Sequence, residues 1–225
     1  MPYVCSVQES NNGKPHPFKK CVVLCVTGLL CFLDTSIQVD KWDPHKNIIR
    51  QPGLIGMFAN FFEKFHIGLW SILPIEQLRP LLAHLLPLHI LEKLAFVYGR
   101  EYCLDSQKFP WCYKTLDTLF RKGPSKDLCA PDQVLMVDVR PVSLRRTPDT
   151  ACYFPHPFVG DLNFPNDSRV IPNIATNIIP FIYPMYEYES VSEYLKVAKR
   201  PGQLHYEVAQ SIKYEQPHWE GIFWR

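Results

Sequence analysis

The sequence predicts an α/β fold: a mostly parallel central sheet with helices on both of its faces. Three observations predict it. Short apolar runs rich in β-formers alternate along the chain with segments whose apolar residues recur at helical spacing. The longest of those runs is nearly uninterrupted, as in a strand buried on both faces, rather than alternating with polar residues. At 225 residues and 47% hydrophobic composition, the chain can bury a sizeable core, and one large domain is a better expectation than two small ones.

Residues 1–18 are polar, include Asn11-Asn12-Gly13-Lys14-Pro15, and are expected to be a flexible lead-in to a domain starting near Lys19. The first strand lies in Lys20-Cys21-Val22-Val23-Leu24-Cys25, and Gly28 marks the place where the chain must turn sharply. The apolar stretch 21–33 is shorter than the roughly 18 residues a membrane-crossing helix needs, so no membrane span is expected. Pro52, ahead of Leu54, Phe58, Phe61, Phe62 and Phe65, predicts a helix laid against the sheet. Residues 66–71 read as a second strand. Pro74 then opens a helix with Leu78, Leu81, Leu82 and Leu85, and Pro80 sits early enough to be tolerated.

A third strand is expected at 95–98, a short helix at 114–121 and a strongly apolar strand at 134–138. Ser190 and Glu193 have capping-box spacing and predict a helix running to about Arg200. A last helix over about 203–213 and an aromatic tail with Trp219, Phe223 and Trp224 complete the chain, the tail either docking a partner or packing back onto the domain. The 21 prolines concentrate between Pro141 and Pro184, which predicts ordered loops tied down by their aromatics.

A net charge of +2 creates no field that argues for a nucleic-acid partner. The eight cysteines are scattered, Cys21, Cys25, Cys31 and Cys152 lie in or beside apolar runs, and no signal peptide precedes them. A reducing, intracellular compartment, nuclear or cytoplasmic, is expected.

The exit of the first strand, Cys25-Val26-Thr27-Gly28-Leu29-Leu30, resembles a block of the haloacid-dehalogenase-like phosphatases. There the strand is followed by Asp, any residue, Asp or Asn, Gly, Thr or Leu, and Leu. Further pieces follow in order: Gln51-Pro52-Gly53-Leu54, Ile67-Gly68-Leu69-Trp70-Ser71, Gly99-Arg100-Glu101-Tyr102-Cys103, Tyr113-Lys114-Thr115-Leu116 and Leu135-Met136-Val137-Asp138-Val139-Arg140-Pro141. They are similar to the Arg-Pro-Gly-Leu, the strand ending in Thr or Ser, the Arg-Glu-His-Cys, the Lys-Asp-Leu and the Val-Asp-Asp or Asn-Ser-Pro of one branch. That branch is the FCP type, phosphatases acting on the C-terminal repeats of RNA polymerase II. Phe154-Pro155-His156-Pro157-Phe158 also resembles a proline-aromatic stretch of its plant members. The resemblance spans about 19–200, leaving 1–18 as the lead-in and 201–225 as a C-terminal helix and tail. It implies a three-layer, Rossmann-like fold with a small cap or none.

In that family an Asp nucleophile accepts the phosphoryl group, a second Asp is general acid and base, Mg²⁺ neutralises charge, and Ser or Thr with Lys holds the phosphate. By resemblance, Cys25 stands for the nucleophile, Thr27 for the acid and base, and Val139 for the metal-holding Asp or Asn, while Ser71, Lys114 and Asp138 retain family residue types. A thiol is a poor ligand for Mg²⁺, which takes hard oxygens, and a hydroxyl does not exchange protons near neutral pH as a carboxylate does. Losing a nucleophile alone commonly costs roughly 10⁴ to 10⁶ in rate. No competent catalytic residue, cofactor or metal is therefore expected.

The expected function is a catalytically inactive, phosphatase-like module that binds or scaffolds a protein or peptide segment, phosphorylated or targeting, with Ser71, Lys114 and Arg140 as candidate contacts. One alternative is an active Mg²⁺-dependent protein serine/threonine phosphatase with a displaced nucleophile, Asp34, Asp138 or Cys25 itself, though no Cys-x5-Arg loop surrounds Cys25. Another is a mitochondrial location, because the chain also resembles the presequence-binding subunit of the inner-membrane translocase. Cys103 and Cys112 with His84 or His89 lack metal-site spacing and read as core and loop residues. Arg145 and Arg146, beside Arg140, read as solvated loop charge.

Overall fold

Four consecutive apolar residues leave a strand no solvent face, and in the computed structural model Cys21–Leu24 (β1) is buried at all four positions in the middle of a five-stranded sheet. The structure describes residues 19–33, 47–105, 112–121, 125, 127–158 and 174–199. The remaining strands are β2 (Cys31–Leu33), β3 (Ile48–Arg50), β4 (His66–Trp70), β5 (Phe96–Tyr98), β6 (Leu104–Asp105), β7 (Cys112–Tyr113), β8 (Val134–Val137) and β9 (Cys152–Tyr153). Sheet order is β5-β4-β1-β8-β9, and every neighbouring pair in it is parallel. The antiparallel pairs β2–β3 and β6–β7 stand apart from that sheet.

From β1 the chain moves outward through β4 to β5, then returns to the other side for β8 and β9. Connections therefore leave β1 and β8 in opposite directions, which opens a crevice at the carboxyl ends of these two strands. The expected α/β architecture is the observed one.

The alternation of side chains along parallel strands divides the core. Val22, Leu24, Ile67, Leu69, Leu135 and Val137 face α1 (Leu54–Lys64), α2 (Ile75–Leu85) and the helices α5 (Ile179–Ile182) and α6 (Val191–Val197). Cys21, Val23, Trp70, Phe96, Tyr98, Val134 and Met136 face the other way, toward α4 (Leu116–Arg121) and the turn Pro141–Leu144. A short α3 (Leu88–Leu91) follows α2.

Helix α1 begins at Leu54, two residues beyond the Pro52 at which the sequence places its start. Gly53, in left-handed backbone at φ 81°, precedes it, and Leu54, Met57, Phe58 and Phe61 are buried. Each such side chain contributes about 1.5–3 kcal/mol by leaving water. Pro80 lies inside α2 without ending it. Glu101, from the turn after β5, accepts the N–H of Ile75 at 2.9 Å and so satisfies one of the orphan donors of α2.

Two expectations change. Helix α6 ends at Val197 because Ala198 turns to extended backbone, its N–H still bonded to Tyr194 O, so the helix is shorter than its spacing predicts. Its cap is as expected, with Ser190 Oγ accepting the Glu193 N–H at 3.1 Å. The proline-rich region is more helical than expected: Pro141–Leu144, Tyr183–Glu187 and α5 are helical turns with Pro in their first two positions, where no N–H is needed. The lead-in, Asp34, the helix expected at 203–213 and the tail residues Trp219, Phe223 and Trp224 lie outside the described residues. Among the described residues no helix is long and apolar enough to cross a membrane.

Gly68 fixes how β4 meets β5. A Cβ there would lie 2.1 to 2.5 Å from three atoms of the Phe96 ring, which fills the space the missing side chain leaves. Gly68→Ala is expected to cost about 1–3 kcal/mol by overpacking, read as a lower urea midpoint, and adding Phe96→Leu is expected to recover most of it. An unchanged midpoint in Gly68→Ala would show that the ring is free to move.

Candidate functional site

Strand β1 delivers Cys25 to the crevice, where its N–H bonds to Val137 O at 2.9 Å and so continues the pairing with β8 by one residue. Its thiol points toward the Thr27 carbonyl at 3.9 Å. The turn that follows needs Gly28: φ is 80°, and a Cβ would lie 2.8 Å from Val139 Cγ2. Gly28 N–H donates to Cys31 O at 2.7 Å, and Gly28 O accepts from Phe158 N–H at 2.6 Å, so the turn is held from both sides.

Strand β8 delivers Asp138 and Val139, and the turn beyond them carries Arg140. Asp138 receives Lys114 Nζ at 2.5 Å and Ser143 Oγ at 2.8 Å on Oδ2, and the Arg140 backbone N–H at 2.9 Å on Oδ1. Both side chains of the Lys114–Asp138 pair are 2% exposed. Burial alone would raise the Asp138 carboxyl. The Lys114 and Arg140 charges and the two donated N–H bonds outweigh it and hold that carboxyl below the ordinary range.

Lys114 is held in turn by its backbone, its N–H bonding to Ser143 O at 2.7 Å and its O accepting Thr147 Oγ1 at 3.0 Å. The result is a closed knot joining β7, β8 and the turn after β8. Ser143 and Thr147 carry part of it, and no sequence motif pointed to either.

Ser71, at the carboxyl end of β4, is 2% exposed, and its Oγ accepts the Leu73 N–H at 3.1 Å, fixing the bend ahead of α2. Arg140 is half-buried. Arg145 and Arg146 are exposed, and the Arg146 guanidinium lies 5.3 Å from the Tyr113 ring centre. Cys103 directly precedes β6, and Cys112 opens β7 opposite Asp105. Among the described residues no group of three or more His, Cys, Asp or Glu side chains is placed to hold a metal.

The chemistry of this donor set is restricted. Burial, and next the Asp138 charge, push the Cys25 thiol up to about 12 against the opposing pull of Lys114. Such a thiol stays protonated near neutral pH and is a weak nucleophile. Thr27 and Val139 add a hydroxyl and a methyl surface to the crevice and no anionic oxygen. Mg²⁺ needs hard oxygen ligands near 2.1 Å, and these residues do not fit it, because the carboxylate at the crevice is already committed to Lys114 and Ser143.

No protein-family model matches the chain, and no curated protein is similar to it. Among solved structures 16 chains are similar. They include the RNA polymerase II CTD phosphatase Fcp1-R271A of fission yeast bound to beryllium fluoride, with a TM-score of 0.46 and 11% identity, over 88% of this chain and 62% of that one. The chain therefore spans less than two thirds of that protein's length.

Proposed function

We propose that the chain is a phosphatase-like domain without hydrolytic machinery, which binds a protein or peptide segment at the carboxyl ends of β1 and β8. One observation carries this reading. The strand-end positions at which the resembled enzymes keep their acids hold Cys25, Thr27 and Val139, and the acid that is present, Asp138, is closed in a 2.5 Å pair with Lys114 that is 2% exposed on both sides. An acid so engaged neither attacks phosphorus nor holds Mg²⁺ without first breaking the knot. The half-buried Arg140 beside this crevice supplies the charge for an acidic or phosphorylated segment, with Ser71 and Lys114 behind it.

The test compares Mg²⁺-dependent hydrolysis of an aryl phosphate by the parent chain and by the Cys25→Asp, Thr27→Asp, Val139→Asp triple variant. The parent is expected to show no turnover above the uncatalysed rate. Turnover in the folded variant is the expected gain, because each of the missing oxygens is then restored to one unit. Mg²⁺-dependent hydrolysis by the parent, abolished by Cys25→Ala or Asp138→Asn, would overturn the proposal.

A further inference from the structure

The floor of the crevice is closed off from solvent. Cys25, Ser71, Lys114 and Asp138 are buried, and Val139, the most open of the set, is 6% exposed. A segment that reaches them must displace something, and the walls of the crevice differ in how firmly they are held. Strands β1 and β8 each have a paired neighbour on both sides, and the Asp138 knot pins the turn after β8.

The remaining wall is Pro155–Phe158, which follows the edge strand β9. Pro157 sits against Gly28: its Cβ lies 3.7 Å from the point that a Gly28 Cβ would occupy, and Val139 Cγ2 lies 2.8 Å from the same point. Pro157 and Val139 thus meet over the bare face of the glycine. The Phe158 N–H donates to Gly28 O at 2.6 Å. Phe158 is buried, whereas His156 and Pro157 are half-buried. Pro155 and Pro157 have no N–H to bond, so backbone bonding ties this stretch down less than it does the strands, and such segments open first.

We propose that Pro155–Phe158 is a tethered occupant of the crevice, and that the crevice binds a proline-containing peptide segment which takes its place. This deepens the binding role proposed above and rests on it. The incoming segment donates one backbone N–H to Gly28 O and lays a proline ring against Gly28 and Val139, the contacts that Phe158 and Pro157 make in the closed state. Glycine at position 28 admits that ring, since a side chain there would fill the space. While the strap is shut, the apparent affinity for the partner falls in proportion to the open fraction.

The test measures alkylation of Cys25 by N-ethylmaleimide in the folded full chain, located by mass spectrometry. In the parent the reaction is slow, because burial pushes that thiol up to about 12. Phe158→Pro removes the donated N–H, and Pro157→Gly removes the ring from Gly28 and Val139. Each is expected to raise the Cys25 rate about tenfold, the shift in open population that losing one such contact brings. Cys21, 2% exposed at the opposite end of β1, is expected to keep its parent rate. A synthetic peptide of residues 154–158, at the millimolar level that a tether supplies, is expected to return the Cys25 rate of Pro157→Gly to that of the parent. An unchanged Cys25 rate in the folded variants, a parallel rise at Cys21, or a peptide that gives no protection would overturn the proposal. Because Pro157 is half-buried, the Pro157→Gly arm stands even if Phe158→Pro does not fold. Phosphatase turnover by the parent would instead sink the binding role and leave the labelling result intact, so the two failures are distinguishable.

Discussion

Asp138→Ala is expected to lower the free energy of unfolding by about 3–5 kcal/mol, because it leaves the Lys114 ammonium buried without a counter-charge. The pair lies where water does not reach, with both side chains 2% exposed, so Lys114 has no solvent to fall back on. Removal also strips Ser143 Oγ and the Arg140 N–H of an acceptor. For a domain of this size that loss is a drop in Tm of roughly 6–20 °C. The double variant Lys114→Met, Asp138→Leu is expected to recover most of it, since a buried ion pair is commonly no more stabilising than apolar residues of similar volume. A double variant as unstable as Asp138→Ala would show that the knot holds the turn through Ser143 and Arg140 rather than through charge.

The same pair sets a pH dependence. The folded-state carboxyl of Asp138 lies below its ordinary value, which in the unfolded chain is about 3.9. Its stabilisation is therefore complete above that value and is lost as the pH falls through the lower folded-state one. The acid limb of a stability profile is expected to be shallower in the Lys114→Met, Asp138→Leu variant than in the parent.

The elements that fill the core were the legible ones. β1, β4, β5 and β8 are apolar runs, and α1 and α2 carry their buried residues at helical spacing, so their bounds follow within a residue or two. The ribbons β2–β3 and β6–β7 and the edge strand β9 are two or three residues long, too short to show a period. Prolines misled the reading of 174–187, because their density resembles loop sequence although they occupy helix-opening positions.

At the crevice, the motif order located Cys25, Thr27, Ser71, Asp138 and Val139 at strand ends because each lies within three residues of the end of a recognisable strand. The partner of Asp138 was not legible. Lys114 is 24 residues away in the chain, and only the closing of β7 against the turn after β8 brings the two together. Ser143 and Thr147 are ordinary residues of a proline-started turn, and their hydroxyls acquire a role through that packing alone.

Trp70→Ala is expected to match Asp138→Ala in cost, about 3–5 kcal/mol, by opening the largest cavity a single truncation can make in this core. The indole is fully buried at the end of β4 and meets the Tyr98 ring edge-on, at 5.6 Å between centres and 89° between planes. Tyr98 stacks on Tyr102 at 3.9 Å, and its hydroxyl bonds to Ser125 Oγ at 2.6 Å, so the indole supports one side of an aromatic layer that also anchors Ser125. Truncation removes that support directly before Ser71, whose hydroxyl fixes the bend into α2. Trp70→Phe retains an aromatic edge for Tyr98 and removes a buried ring N–H that makes no hydrogen bond. It is expected to cost less than half as much, and chemical denaturation of the two variants at one pH measures the difference. Equal losses in both would place the stabilisation in the close fit of the whole indole instead of in the volume it fills.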